Sequence, residues 1–528
     1  MAGITFTSPS QPSNDKVLSG GLNSTAGPFG VQNNEATEIQ NIDFDKFGSI
    51  MKRGGYATLN TGNISAGAQI DGLHWYEYNA AGSYGSFAVA TAGTNFYAMN
   101  DLDGGWDDIT GAVTVTAGNH CSFENFLDEV YVTNDVNVPW KWAGGSTACV
   151  MTVPTGLTRA KQVCQFSNYL FLANVTVSGV SYPSRIYWSA IKNTSSWNAA
   201  DWIEVAKDDG QEITAISVLA DRLVIYKRRS IYNLFFTGDA DIPFILPGGG
   251  KSNSSVGCIA PYSVQEVENG HVFLAADGLY YYDGMNSYKL SHRITSTLFG
   301  STNQTGFNAT NFNKAVSCVY GAKNRYMISF CSSGETEANR VIVWDYFNNA
   351  FSIYVGMSPC SMATFFVSSF EERPYFGDYD GFVYRMDFGV DDYQFNTANA
   401  ISSYYITNWR SFEDLCDQKG VPQIYIYHQV SDAVMGLGYS YDFATGSTDN
   451  VTGMQFNQTF DLNTGGYEYN ASDALYGTAT YAGEGGMVIR RDLDGRGRVV
   501  RFKFANAELS KSFRIDGLGT MAHLETNV

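Results

Sequence analysis

Between about residue 70 and about residue 395 the chain repeats one hydrophobic pattern: a short apolar strand, a tight turn and a second short apolar strand. The series begins with FAVATAGTNFYAMN from Phe87, VYVTNDVNVPWKW from Val130, LFLANVTVSGVSYPSRIYWS from Leu170 and LVIYKRRSIYNLFF from Leu223. It continues with VFLAADGLYYYDG from Val272, YMISFCSSGETEANRVIVWDY from Tyr326 and PYFGDYDGFVYRMD from Pro374. The turns fall roughly 42 to 58 residues apart, the range of propeller blades. Other apolar strands precede the hairpins, among them HCSFENF from His120, EITAISVLA from Glu212, APYSVQEVE from Ala260 and AVSCVYGA from Ala315. A fourth strand often follows, as in FSIYVG from Phe351.

These strands are apolar on both faces, so both faces must be covered. The connections show almost no helical periodicity; the one short helix expected spans residues 291–299, with Ser291 as its N-cap. Sheets stacked around an axis cover one another without helices, which predicts an all-β fold with a β-propeller of about seven blades over residues 66–398. The repeated Asp-Gly pairs fit this reading. Asp277-Gly278 and Asp380-Gly381 occupy equivalent positions, and glycine supplies the positive φ of a tight turn, so Asp277 reads as a turn residue rather than a catalytic acid.

The rhythm changes beyond this stretch. VPQIYIYHQV, VMGLGYSYDF and GRGRVVRFKF are strands at irregular spacing, which predicts a β-sandwich-like antiparallel platform domain over residues 399–528. Residues 1–65 carry Ser, Pro, Gly and Asn punctuation and few strands, and read as an extended N-terminal arm. Within it Ile39, Ile42, Phe44, Phe47 and Ile50 are too apolar for a free tail, so they are expected to dock on the C-terminal domain or on an adjacent subunit, as candidate inter-subunit contacts.

Composition sharpens the fold class and narrows the function. The 528 residues are 44% hydrophobic, 15% aromatic and only 16% charged, with 54 Gly, a mixture rich in strand and turn formers. The net charge of −19 repels phosphate, which argues against general nucleic-acid binding and suits a wall that DNA slides past. No basic n-region with an apolar core opens the sequence and no run approaches a membrane span, so neither export by a signal peptide nor a membrane anchor is expected. The eight Cys are widely spaced without a C-x-x-C, as expected of reduced thiols.

Catalytic chemistry finds little support. The six His form no metal-binding motif, and phosphate-loop, dinucleotide and nucleophile-elbow motifs are missing, so no catalytic residue, metal or cofactor is assigned. The D-x-D-G stretches at residues 101–104, 378–381 and 492–495 lack the further oxygen ligands of a calcium loop. A carbohydrate-binding or carbohydrate-cleaving propeller is the competing class, motivated by 9 Trp and 34 Tyr that can stack on sugars, although the repeated box of propeller glycosidases is absent. Two basic clusters break the acidic background: residues 227–229, read as a solvated hairpin turn, and Arg490, Arg491, Arg496, Arg498 and Arg501, read first as a strand edge guarded by charge and alternatively as a partner or DNA contact. In the last strand Val500, Phe502 and Phe504 share one face, while Arg501 and Lys503 share the other and face a partner or DNA phosphate.

The segment GGLNSTAGPFGVQNNEATEIQNIDFDKFGSIMKRGGYATLN, from Gly20, carries a family resemblance in Gly21-Leu22-Asn23, Pro28, Glu35-Ala36, Asn41-Ile42-Asp43-Phe44-Asp45, Gly48 and Lys52-Arg53-Gly54-Gly55-Tyr56. It resembles the short-tailed bacteriophage tail nozzle or tail-hub proteins, also called packaged-DNA stabilisation proteins. The resemblance continues through RLVIYKRRSIYNL from Arg222, GCIAPYSVQEVENGHVFLAADGLYYYDG from Gly257 and NWRSFEDLCDQKGVPQIYIY from Asn408. It implies a structural virion protein, made in the host cytoplasm and built into the tail. Several copies, six by the resemblance, would form a ring below portal and adaptor, continue the channel through which double-stranded genomic DNA passes, and dock tail fibres.

Overall fold

The computed structural model describes residues 11–80, 83–100, 102, 104–300, 306–368, 371–394, 397–412, 415–446, 453–463 and 487–524. The chain forms two compact units. The first combines Met1–Tyr56, Ile342–Gly356 and Phe388–Val528; the second combines Ala57–Val341 and Met357–Asp387.

The second unit is a seven-bladed β-propeller. Its innermost strands are Ile70–Ala80, Ser122–Phe126, Leu157–Phe166, Ile213–Leu219, Gln265–Val267, Ser317–Tyr320 and Ser361–Ser368, and they follow one another around an axis until the seventh meets the first. Each begins an antiparallel sheet whose second and third strands are the hairpins read from the sequence. Adjacent blades bury each other's faces. Tyr76, Val89 and Phe96 of the first blade pack with Val130, Trp140 and Trp142 of the second, and Phe171 and Trp188 of the third pack with Leu223, Ile225 and Phe244 of the fourth. This packing is why the strands carry no wet face.

The ring is closed by pairing its beginning to its end. Leu59 donates its N–H to Val383 O at 2.7 Å, and Asn60 Oδ1 accepts from Val383 N at 2.8 Å. The Asp-Gly turns behave as read: Gly278 and Gly381 have φ of 143° and 81°. Asp277 accepts from the Tyr280 hydroxyl at 2.8 Å and from Lys289 Nζ at 3.1 Å, which hold its carboxyl below the usual range against a desolvating push upward. Ser291 departs from its expected role. Residues Ser291–Ile294 form a 3₁₀ turn before the helix Thr295–Phe299, and the buried Ser291 hydroxyl accepts from Leu279 N at 3.0 Å instead of capping the helix.

The first unit holds two sheets. One has the order Ile42–Phe44, Ile50–Lys52, Arg514–Leu524, Lys419–His428 and Met487–Asp492, with Gln11–Asp15 paired to Arg514–Leu524 and Arg496–Gly497 paired to Lys419–His428. The other runs Gly21–Leu22, Glu35–Gln40, Ser403–Thr407, Val500–Asn506, Val434–Tyr441 and Phe456–Asp461. Residues 11–56 are therefore not an extended arm. Their strands are too short to stand alone and take ladder partners from the C-terminal strands, so the expected boundaries at residues 65 and 398 give way to divisions at residues 56 and 387. Ile39, Ile42, Phe44 and Ile50 are buried by this weave and have no surface left for an inter-subunit contact; of the five, Phe47 alone is exposed, at 70%.

The KRGGY motif lies at the centre of the weave. The Arg53 guanidinium meets Asp392 through two bonds of 2.8 and 2.6 Å, and donates further to Asn41 Oδ1, Gly54 O and Val355 O. Lys52 Nζ donates to the carbonyls of Glu508 and Lys511 at 3.1 and 2.8 Å. A Cβ on Gly55 would stand 1.8 Å from Asp391 O, so no side chain fits there. Asp43 accepts from the Tyr354 hydroxyl, and Asn41 Oδ1 also accepts from Val355 N at 2.8 Å. These residues carry the resemblance because they knot separate parts of the chain into one core.

Candidate functional site

The propeller axis holds two polar chambers. Inner strands bring polar side chains to face one another across it, and Tyr262 divides the space. The short 3₁₀ turn Pro261–Ser263 places its ring against His120, with centroids 5.3 Å apart, and its hydroxyl donates to His120 O at 2.8 Å from three blades away. On one side lies a chamber of about 600 Å³ lined by, among others, His74, Glu124, Gln162, Ser217, Gln265 and Ser361. On the other lies a chamber of about 440 Å³ lined by Asp135, Lys161, Glu212, Arg228 and Lys314 among others.

The two chambers differ electrostatically. In the smaller one, charges are paired: Arg228 and Lys161 reach Glu212 at 2.8 and 3.4 Å. The larger one is lined by no Lys or Arg. Burial pushes the Glu124 carboxyl up to about 8, against a backbone hydrogen bond from Gln165, so it holds a proton at neutral pH. Burial pushes His74 down to about 4, and its neutral ring stacks on Phe123 and meets Asn125 Oδ1 at 3.0 Å. Gln162 Nε2 and Ser361 Oγ find no hydrogen-bond partner, although Gln162 is 5% and Ser361 4% exposed. Sequence reading missed this set. Glu124, Gln162 and Gln265 sit beside other polar residues of their inner strands, Asn125, Lys161 and Glu266, so the pattern alone does not mark which of them is axial.

The basic residues fall elsewhere. Lys227, expected in a solvated turn, is buried with Nζ 3.0 Å from both Asp209 carboxylate oxygens; Arg228 is exposed beside Glu212. The five C-terminal arginines are spread over both sheets of the first unit. Arg490 is exposed and lies 3.8 Å from Asp492, Arg491 lies over Phe460, and Arg496 and Arg498 are exposed, with Arg498 Nε donating to Cys416 O. Arg501 and Lys503 share a face as the alternation required, above Trp409 and Tyr404. Burial lowers both pKa values, and Glu38 opposes that shift.

Among the described residues no group of three or more His, Cys, Asp or Glu is arranged to hold a metal ion, and no helix is long and apolar enough to cross a membrane. No disulfide links the eight cysteines. Of the D-x-D-G stretches, Asp378 satisfies its own loop by accepting from Asp380 N and Phe382 N, while Asp101 and Asp103 lie outside the described residues.

Residues 50–284 match the family model described as the bacteriophage P22 Gp10 β-propeller. Over that span the chain is similar to this phage family. The matched span runs from the Ile50–Lys52 strand through the hairpin of the fifth blade, and it marks the chain as a phage structural protein built on a propeller. No curated protein matches the chain. Among solved structures it is similar to BamB from Moraxella catarrhalis, 12% identical, covering 66% of this chain and 95% of that chain with a TM-score of 0.36. It is also similar to the N-terminal domain of Nup159, 11% identical, covering 66% and 97% with a TM-score of 0.37. A third likeness is PorZ of Porphyromonas gingivalis, 11% identical, covering 71% and 45% with a TM-score of 0.39. Likenesses this distant carry no argument about what the chain does.

Proposed function

We propose that the chain is a non-enzymatic structural subunit of a bacteriophage tail, several copies of which form a ring below portal and adaptor. The ring continues the DNA-ejection channel and offers docking surfaces to fibres. The observation that carries this reading is the match of residues 50–284 to the phage propeller family. Two physical features support it. Tyr262 crosses the propeller's own axis and the chambers beside it are far too small for a duplex, so DNA travels in a lumen framed by several copies. The net charge of −19 suits a lumen with a weak hold on phosphate. Of the five apolar candidates in the N-terminal segment, the exposed Phe47 is the one left to meet a neighbouring copy.

The test is assembly. The purified chain, mixed with a phage portal–adaptor complex and followed by sedimentation and negative-stain imaging, should enter rings on that complex. A homogeneous monomer that joins neither such rings nor purified virions would overturn the proposal.

A further inference from the structure

The larger axial chamber holds hydrogen-bonding groups that the fold itself does not use. Asp71, Glu77 and Glu372, which also line it, are committed: Asp71 accepts from Gln69 and Gly118 N, Glu77 from the Trp75 indole and the Tyr84 hydroxyl, and Glu372 from Ala322 N. Gln162 differs. Its Oε1 lies 3.5 Å from Ser122 Oγ, but its Nε2 bonds to nothing, and Ser361 Oγ on the seventh blade is equally unpartnered. Each is more than nine-tenths buried, and an unmet polar group in such a place is destabilising, so two on one chamber wall point to something that fills it.

The chemistry of the lining selects the occupant. With no Lys or Arg on the wall, a phosphate or carboxylate would be desolvated without a counter-charge. The groups that face an occupant are mostly donors at neutral pH: the Gln162 amide N–H groups and the Ser361 hydroxyl have no partner, and the protonated Glu124 carboxyl, which accepts from the Gln165 backbone, has its O–H to donate. A primary amine, which brings only donors, would meet them badly. A ligand rich in hydroxyl oxygens both accepts from these groups and donates in return. Phe123 and the 46%-exposed Phe366 supply apolar faces for C–H surfaces. The volume of about 600 Å³ is that of a small-ligand pocket.

We propose that the larger axial chamber of the propeller binds a neutral polyhydroxylated small molecule of mono- or disaccharide size, held by Glu124, Gln162 and Ser361. The site is independent of the tail role, and its failure would leave that role untouched. The experiment is saturation-transfer NMR and calorimetry on the full chain with glucose, galactose, N-acetylglucosamine, maltose and lactose, with putrescine and inorganic phosphate as controls. At least one sugar should bind saturably, and Gln162→Leu should weaken it at least tenfold. Ser361→Ala, the smaller change, should weaken it severalfold with the circular-dichroism spectrum and melting temperature retained. Binding of none of the sugars, binding equal in wild type and both variants, or tighter binding of putrescine or phosphate would each overturn the proposal.

Discussion

Replacing Arg53 by alanine would leave the Asp392 carboxylate buried without its cation. In the intact chain the two side chains are 1% and 8% exposed, and the guanidinium also serves three further acceptors on residues 41, 54 and 355. Removing one partner of such a pair costs about 3–5 kcal/mol, because the charge left behind keeps its desolvation penalty without its compensation. Burial already raises the Asp392 pKa while Arg53 opposes the rise, so loss of Arg53 pushes it further up. A raised folded pKa means that the native state holds a proton where the unfolded chain does not, and stability then falls as pH rises. The penalty of Arg53→Ala should therefore be larger at pH 7 than at pH 5. Urea unfolding followed by tryptophan fluorescence at both pH values would measure it, with Asp392→Ala and the double variant completing a cycle. A cost below ~1 kcal/mol at pH 7 with no coupling between the positions would refute the reasoning, since a paired buried charge cannot be removed that cheaply.

Glu124→Gln should flatten the pH dependence of the propeller. Its folded pKa of about 8 lies above the ordinary carboxyl value, so its favourable contribution is complete at low pH and lost as pH rises through about 8; the variant should melt higher than wild type at pH 9 and not at pH 4. Gly55→Ala drives a Cβ into Asp391 O and should cost several kcal/mol, of order 3 or more, read as loss of soluble folded protein or a lowered urea midpoint. The assembled chain should bind duplex DNA weakly at physiological salt. Tight, steeply salt-sensitive binding removed by alanine at Arg490, Arg491, Arg496 and Arg498 would contradict that expectation.

The propeller was legible because its signals are local. The hairpin from Val272 shows two apolar faces and an Asp-Gly turn within one short window, and the same window recurs from Phe87 to Pro374. Closure of the ring was not legible: the bond between Leu59 and Val383 joins residues at opposite ends of the unit, and nothing in the sequence around Leu59 names its partner. The same holds for the N-terminal strands. Glu35–Gln40, EATEIQ, has no strand alternation of its own and becomes a strand because Ser403–Thr407 offers it a ladder. Ser291 misled for a local reason, since a buried Leu279 amide took the hydroxyl that a helix N-terminus would have used. At the axis, Glu124 and Gln162 neighbour Asn125 and Lys161 in strands with polar residues on both faces, and the period-two rule cannot say which face looks inward.

The most direct measurement of the tail assignment is a cryo-EM reconstruction of the phage particle that carries this chain. The expected density shows several copies of the seven-bladed propeller arranged around one lumen wide enough for duplex DNA, in contact with portal–adaptor density, each with its own axis closed at Tyr262. A virion reconstructed to side-chain detail in which this propeller appears nowhere in the tail, or in which DNA threads the propeller's own axis, would contradict it.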